Sequence, residues 1–348
     1  MKNIESTESL NGIRPETIAE FVGQNHLKEL IKTTVSASQK RNAPFPHTLL
    51  TGAAGLGKTS LARLIAIEMG VSFVSTTAES LESSSDVKGL LSKLDDKEGY
   101  DGKGNVVGRI TPSVLLVDEA HRLPRKSQEL LYGAVEDRVL ESIIRNPITG
   151  LMTPTREWVP CFTLIMASNR PSDLTTSLRD RLRLNLRLEP YDLSDSAKIA
   201  RQVLGKFGLK CAAKQGELIA LRGRGVPRKI VGLCEQVRDI AIGKSKSTVS
   251  TAICESAFES LSLDALGLNR LDVEVLKHLS NHLGQPLGLK TIASLVGEDE
   301  MAIEEMIEPY LIAKGLVVKT GRGRVLTPNG IEHLRQYHGL QMSGRRLA

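Results

Sequence analysis

Gly52-Ala53-Ala54-Gly55-Leu56-Gly57-Lys58-Thr59 fits G-x-x-x-x-G-K-[ST], the spacing of a phosphate-binding loop. That pattern carries chemistry only between a strand and a helix, and both are legible here. His47-Thr48-Leu49-Leu50-Thr51 reads as a short strand, and Ser60 to Met69 as a helix with Leu61, Leu64, Ile65 and Met69 on one face. Glycines let successive backbone N–H groups curl around an anion. The helix N-terminus adds unsatisfied donors and the positive end of its dipole. Lys58 is spaced to reach the β- and γ-phosphates and Thr59 to hold Mg²⁺, with Gly55, Leu56, Gly57 and Ser60 completing the cradle. The stretch predicts ATP or GTP binding.

Further strands are expected at Val71–Ser75, Ser113–Val117 and Cys161–Ala167, with helical patterns at Ser84–Leu94 and Lys126–Val135 between them. This alternation predicts an α/β domain with helices packed on a parallel sheet. Val114-Leu115-Leu116-Val117-Asp118-Glu119 is an apolar strand ending in two carboxylates, which the topology sets beside the phosphate loop. Many strands end in acids for structural reasons. Paired with the loop, Asp118 reads as the Mg²⁺ holder and Glu119 as the residue that polarises the attacking water.

Phe162 to Asn169 is a second buried strand with a polar end. Asn169 either senses the γ-phosphate or caps a turn. In Leu178-Arg179-Asp180-Arg181-Leu182-Arg183 the arginines are either a solvated basic face or a source of transition-state stabilisation, often across a subunit boundary. Gly225-Val226-Pro227-Arg228 opens a helix, for which Pro227 suits the first turn. Arg228 is placed there to swing toward a γ-phosphate.

The bulk properties narrow the rest. The chain has 348 residues, 41% hydrophobic and 25% charged, enough for two or three soluble domains. No apolar run reaches the length of a membrane span, and the first residues lack the apolar centre of a signal peptide, so a cytoplasmic location is expected. Cys161, Cys211, Cys234 and Cys254 are scattered and show no zinc spacing. From Leu311 onward seven basic residues face Glu332 alone, which accounts for the whole formal charge of +6. A basic end on a neutral body suits a polyanion, or else solubilises the chain. Aromatics, at 3%, are too few to build base-stacking platforms.

After Pro190 the pattern is helical only, at Asp195–Leu204, Lys214–Arg222, Arg228–Ile242 and Ser250–Leu261. From Leu266 three more helical patterns (Arg270–Leu283, Gly288–Val296, Asp299–Lys314) precede two β-like runs around the turn Gly321-Arg322-Gly323-Arg324. Three helices and a basic hairpin predict a winged helix. The expected plan is a flexible 1–13, a large ATPase domain at 14–190, a small helical lid at 191–265, a winged helix at 266–340 and a basic tail at 341–348. Gly99–Gly108 reads as an exposed loop.

Taken in order, Phe21-Val22-Gly23-Gln24, Gly55 to Thr59, Asp118-Glu119-Ala120-His121, Leu131 to Asp137, Leu178 to Arg181, Gly225 to Arg228, Glu308-Pro309-Tyr310-Leu311 and Gly321 to Arg324 resemble the AAA+ ATPases. Within them the chain is similar to the RuvB family of Holliday-junction branch-migration motors, from about Arg14 to His333. The resemblance implies a homo-hexameric ring on double-stranded or branched DNA, with ATP and Mg²⁺ between subunits and a RuvA-like junction-binding partner. It places Asn169 and Arg228 at two nucleotide sensors and Arg181 at the finger that reaches a neighbour's ATP. Ile13, Arg14 and Tyr191 fall near the adenine, and Lys319, Arg322 and Arg324 on a DNA-touching wing. Departures from the family pattern are Ala53 and Ala54 in place of prolines, Asn169 in place of threonine, and a changed Arg145–Trp158, where the partner-binding hairpin is expected. Two other readings stay open: a loader that assembles a partner on DNA, and a DNA-binding regulator. The second is disfavoured because the wing is short of base-reading Asn or Gln.

Overall fold

The structure, a computed structural model, describes residues 12–94, 112–145 and 152–339, without the side chains of 141–145 and 152–155. The Gly99–Gly108 segment, the first eleven residues and the basic end past Gly339 lie outside these described residues. The chain divides into two compact units, Met1–Tyr191 and Asp192–Ala348.

The first unit runs α1 (Asn25–Lys40), β1 (Thr48–Thr51), α2 (Lys58–Met69), β2 (Phe73–Thr77), α3 (Ser84–Leu91), β3 (Ser113–Asp118), α4 (Arg125–Glu136) and β4 (Val139–Arg145). It continues through β5 (Met152–Trp158), β6 (Phe162–Ser168), α5 (Thr176–Arg181) and β7 (Leu184–Arg187). Five parallel strands form one sheet in the order β2-β3-β6-β1-β7. The inner strands β1, β3 and β6 are buried almost throughout, as continuous apolar runs require when helices cover both faces of a sheet. The edges β2 and β7 are only partly buried. The four expected strands are present, with β2 beginning two residues later than expected, and β7 adds a fifth. Strands β4 and β5 pair as an antiparallel hairpin, with Arg145 opposite Met152, so β5 falls within the Arg145–Trp158 stretch while β4 lies almost wholly before it. His47 anchors the sheet by accepting the Leu164 N–H on Nδ1 at 2.9 Å. Burial, helped by Arg183, pushes that imidazole down to about 4, so it keeps the lone pair that the bond needs.

Strand register decides where the polar ends emerge. Thr51 pairs with Ser168, and Val117 with Met166. Gly52, Asp118, Glu119 and Asn169 therefore all leave the sheet at its carboxyl edge, where open α/β sheets bind ligands.

The second unit opens with four helices, α6 (Leu193–Lys206), α7 (Ala213–Arg222), α8 (Pro227–Gly243) and α9 (Thr251–Ser260). A winged helix follows: α10 (Arg270–Ser280), α11 (Leu289–Val296), a helical stretch broken by a π-turn at Ile303–Ile307, α12 (Glu308–Ala313), β8 (Val317–Thr320), β9 (Gly323–Leu326) and α13 (Pro328–His338). Leu287 bridges antiparallel to Arg324 and adds a third segment to the two-stranded hairpin. Gly323 is obligatory there: its φ is +145°, and a Cβ would stand 2.3 Å from the Leu287 carbonyl oxygen.

Arg224 ties the helical part of this unit to the winged helix. It bonds the Gly267 carbonyl and pairs with Asp272, and its guanidinium lies 4.5 Å from the Tyr310 ring centroid. Asp272 also closes the capping box of α10 with Asn269. Among the described residues no helix is long and apolar enough to cross a membrane.

Candidate active site

The loop between β1 and α2 has the backbone that an anion cradle needs. Gly52, Gly55 and Gly57 have φ of 134°, 80° and 102°. A Cβ on Gly52 would meet the Leu188 carbonyl oxygen at 2.5 Å, and one on Gly57 would meet the Phe21 ring at 3.3 Å. These glycines are thus fixed by conformation and by crowding together. Lys58 is the first residue of α2 and is buried. Its Nζ donates to the carbonyls of Gly52, at 2.8 Å, and Ala53, at 3.0 Å. An ammonium held over a ring of backbone groups at a helix N-terminus fits a polyphosphate.

Across the sheet edge, the Thr59 hydroxyl donates to Asp118 Oδ2 at 2.6 Å. One strand, β6, separates β1 from β3, so this bond brings the loop and the acidic strand to one point. A hydroxyl beside a carboxylate is an all-oxygen pair of the kind hard cations take, and it fits Mg²⁺. Glu119 follows in the left-handed region at φ 51°, a strained conformation for a glutamate. That turn aims its backbone N–H at Asp118 Oδ1, at 2.9 Å, and leaves its side chain 43% exposed. A carboxylate that keeps contact with solvent is available to a water molecule.

His121 Nε2 lies 3.6 Å from Glu119 Oε2, and its Nδ1 3.5 Å from the Ser168 hydroxyl. Burial lowers the His121 pKa, and the opposing pull of Glu119 is the smaller effect. The ring is therefore a neutral neighbour of Glu119 near pH 7. Asn169 is exposed immediately after β6, level with Gly52. Tyr191 is buried, with its hydroxyl 3.4 Å from the Leu56 carbonyl. Ile13 is half-buried and Arg14 exposed.

Lys58, Thr59, Asp118 and Glu119 thus converge, while Arg181 is held elsewhere. It pairs with Glu136 at 2.7 Å and donates to the Tyr132 hydroxyl at 3.3 Å, both on α4. The hydrogen bond to Tyr132, with Glu136 beside it, raises the Arg181 pKa, so its charge is constant. Arg228 is exposed at the second position of α8, in the second unit. Ser60, the third residue of α2, completes the loop's helical end.

On the wing the three basic residues separate. Arg322 is exposed at the tip of the hairpin. Arg324 is 9% exposed and turns inward, donating through Nε at 2.9 Å and a terminal nitrogen at 2.6 Å to Glu308 Oε2. Lys319 pairs with Glu304 at 2.9 Å and stands 3.4 Å from Glu308. Residue types alone singled out neither His121 nor Ser168 beside Glu119, nor Tyr132 and Glu136 beneath Arg181. The stretches that carry the family resemblance contain His121, Tyr132 and Glu136 but imply no role for those three.

Comparison with known proteins follows the same outline. Residues 13–188 match the family model described as the Holliday junction DNA helicase RuvB P-loop domain, and residues 265–335 match the RuvB C-terminal winged helix domain. The Holliday junction branch migration complex subunit RuvB 2 of Synechococcus sp. (strain JA-3-3Ab) is 38% identical, over 92% of this chain and 83% of that protein. The RuvB subunit of Mycolicibacterium smegmatis is 35% identical, over 92% and 87%. The solved structure of the Thermotoga maritima RuvB Holliday junction branch migration motor superimposes with a TM-score of 0.77 at 30% identity, covering 93% of this chain and 98% of that one.

Proposed function

Because this chain belongs to the RuvB family, we propose that it is an ATP-driven motor that moves duplex DNA and drives branch migration of four-way junctions. The observation that carries this reading is the 2.6 Å contact of Thr59 with Asp118 beside Lys58, which joins loop and acidic strand in one hydrolytic site. Lys58 binds the β- and γ-phosphates. Thr59 and Asp118 hold Mg²⁺, which neutralises phosphate charge when bound. Glu119 orients the attacking water. Asn169, and Arg228 from the lid, report the state of the γ-phosphate. Ile13, Arg14 and Tyr191 border the adenine. Arg181 serves a neighbouring subunit in a homo-hexameric ring, and a RuvA-like protein presents the junction. In this reading the lid occupies 191–265 and the winged helix 266–340.

The test is a labelled four-way junction incubated with the purified chain and ATP, with and without a RuvA-type partner. The expected result is ATP-dependent conversion of the junction to two duplexes, strongest with the partner. ATP hydrolysis on DNA with an unmoved junction would favour the loader reading instead.

The wing carries its own prediction. Arg322 is the exposed phosphate contact, and Arg324 is the brace that sets the wing on α12. Arg322→Ala should weaken duplex binding evenly across sequences and lower the salt slope by about 1. Arg324→Ala should instead destabilise the winged helix by about 2–3 kcal/mol. It strips a buried carboxylate of its main partner, and Lys319 compensates only partly. Salt titrations of binding alongside thermal melts separate the two. Equal loss of the salt slope without a change in melting for Arg324→Ala would refute the division.

A further inference from the structure

A second cluster of ligating side chains lies far along the sequence from the nucleotide loop, inside the second unit. Asp264 sits in the connection between α9 and α10, while His333 and His338 belong to α13. Both imidazoles aim Nε2 at the same oxygen, Asp264 Oδ2, at 2.7 Å from His333 and 3.1 Å from His338. The three side chains are 6%, 5% and 19% exposed, so water competes poorly for their ligand atoms.

Two features make this more than a chance meeting of polar groups. The histidines are five residues apart on a helix, which is not a same-face spacing. Their convergence on one atom is therefore not a by-product of helical periodicity. The carboxylate is also fixed from behind. Asp264 Oδ1 accepts the backbone N–H groups of Leu266, at 2.9 Å, and Leu268, at 2.8 Å, which leaves Oδ2 as the one oxygen turned to the rings. Outer hydrogen bonds of this kind orient metal-binding carboxylates.

We propose that Asp264, His333 and His338 form a binding site for a first-row divalent transition-metal ion, Zn²⁺ or Co²⁺ by chemistry. Two imidazoles and one carboxylate oxygen suit these ions, whereas Mg²⁺ and Ca²⁺ prefer oxygen alone. Ligand atoms about 2.1 Å from an ion stand about 3.0 Å apart across an octahedral right angle and about 3.4 Å apart across a tetrahedral angle. The nitrogen–oxygen separations, 2.7 and 3.1 Å, lie within a few tenths of an ångström of the octahedral figure and short of the tetrahedral one, and all three ligand atoms lie within 4.8 Å of one another, so small side-chain shifts seat an ion. Each ring points Nε2 at Asp264 Oδ2, which can only accept, so each ring donates there. An ion takes the Nε2 lone pair once that proton has moved, to Nδ1 within a neutral ring or to solvent from a doubly protonated one. The ion would clamp the start of the winged helix to its last helix.

The test uses the full chain without a histidine tag, stripped with chelator, then equilibrated with micromolar Zn²⁺ or Co²⁺ in millimolar Mg²⁺. One ion per chain is expected, with a visible Co²⁺ absorption band from nitrogen ligation. Slower amide hydrogen exchange in α13 is expected on Zn²⁺ addition. His338→Ala should abolish all three, while its unchanged circular dichroism shows that the fold survives. His282→Ala is the counter-control, because His278 and His282 form an i, i+4 pair able to bind such ions weakly. Binding that survives His338→Ala, or that His282→Ala removes, overturns the site. So does a chain that takes up neither ion while still folded.

Discussion

Lys58→Ala should abolish ATP turnover, with kcat/KM down by at least about 10³-fold, or about 4 kcal/mol of transition-state stabilisation. The size follows from what the ammonium gives up and gains. Its partners in the loop include two neutral carbonyls, those of Gly52 and Ala53. Phosphate oxygens replace them with charged acceptors, and such bonds are about twice as strong as neutral ones. They also strengthen as charge moves on the transferred phosphoryl group. Alanine loses both the ground-state and the transition-state part, so nucleotide affinity should fall along with turnover. Titration with a fluorescent ATP analogue and steady-state phosphate release measure the two separately. The wing belongs to the other compact unit, so duplex binding at low salt without nucleotide should be nearly unchanged. Turnover within tenfold of the parent would place the catalytic site elsewhere.

What the sequence made legible tracks how far each interaction is dictated by local spacing. The phosphate loop is a run of eight residues whose glycines must be glycines, and the acidic strand is apolar because it is buried on both faces. Both could be read directly, and the register then brought Thr59 to Asp118. Strand β7 is not announced by its sequence, because Leu184-Asn185-Leu186-Arg187 is four residues of edge strand with only Leu186 fully buried. Its pairing to β1 is a long-range event that no local pattern announces. The stretch from Asp299 to Lys314 reads as one helix. The structure opens a π-turn at Ile303–Ile307 just before Pro309, which has no N–H to give to a preceding carbonyl.

The wing shows the limit most clearly. Lys319 and Arg324 are directly cross-strand, a like-charge pair that would oppose the hairpin alone. Glu304 and Glu308, one helical turn apart, lie beneath them and reverse the sign. In sequence all three basic residues look like DNA contacts, and only tertiary packing distinguishes the brace from the exposed tip. Residues such as Tyr132 and Glu136 stayed without a role for the same reason: their meaning lies in the arginine they hold.

That arginine gives the other large effect. Arg181→Ala should leave ATP binding within about twofold and cut kcat by about 10³-fold or more, the range for loss of an arginine finger. The structure motivates the split, since Lys58, Thr59 and Asp118 converge without Arg181, which Glu136 and Tyr132 hold on α4. If it completes a neighbour's site, two dead variants should complement each other. In equal mixtures of Arg181→Ala and Lys58→Ala chains, a site works when its own subunit keeps Lys58 and its neighbour keeps Arg181. Random assembly meets both conditions at about one site in four, because a head-to-tail interface draws its two halves from different subunits. Mixed assembly is checked by native mass spectrometry, and phosphate release is followed across mixing ratios. Activity should peak near equal amounts and vanish at either pure end. No rescue at any ratio in verified mixed rings would show that Arg181 acts within its own subunit or not at all. Tyr132→Phe refines the result: it keeps the ring under the guanidinium but removes the hydroxyl acceptor. A loss of roughly tenfold or less in kcat, with KM unchanged, is the expected mark of a positioning residue rather than of the finger itself.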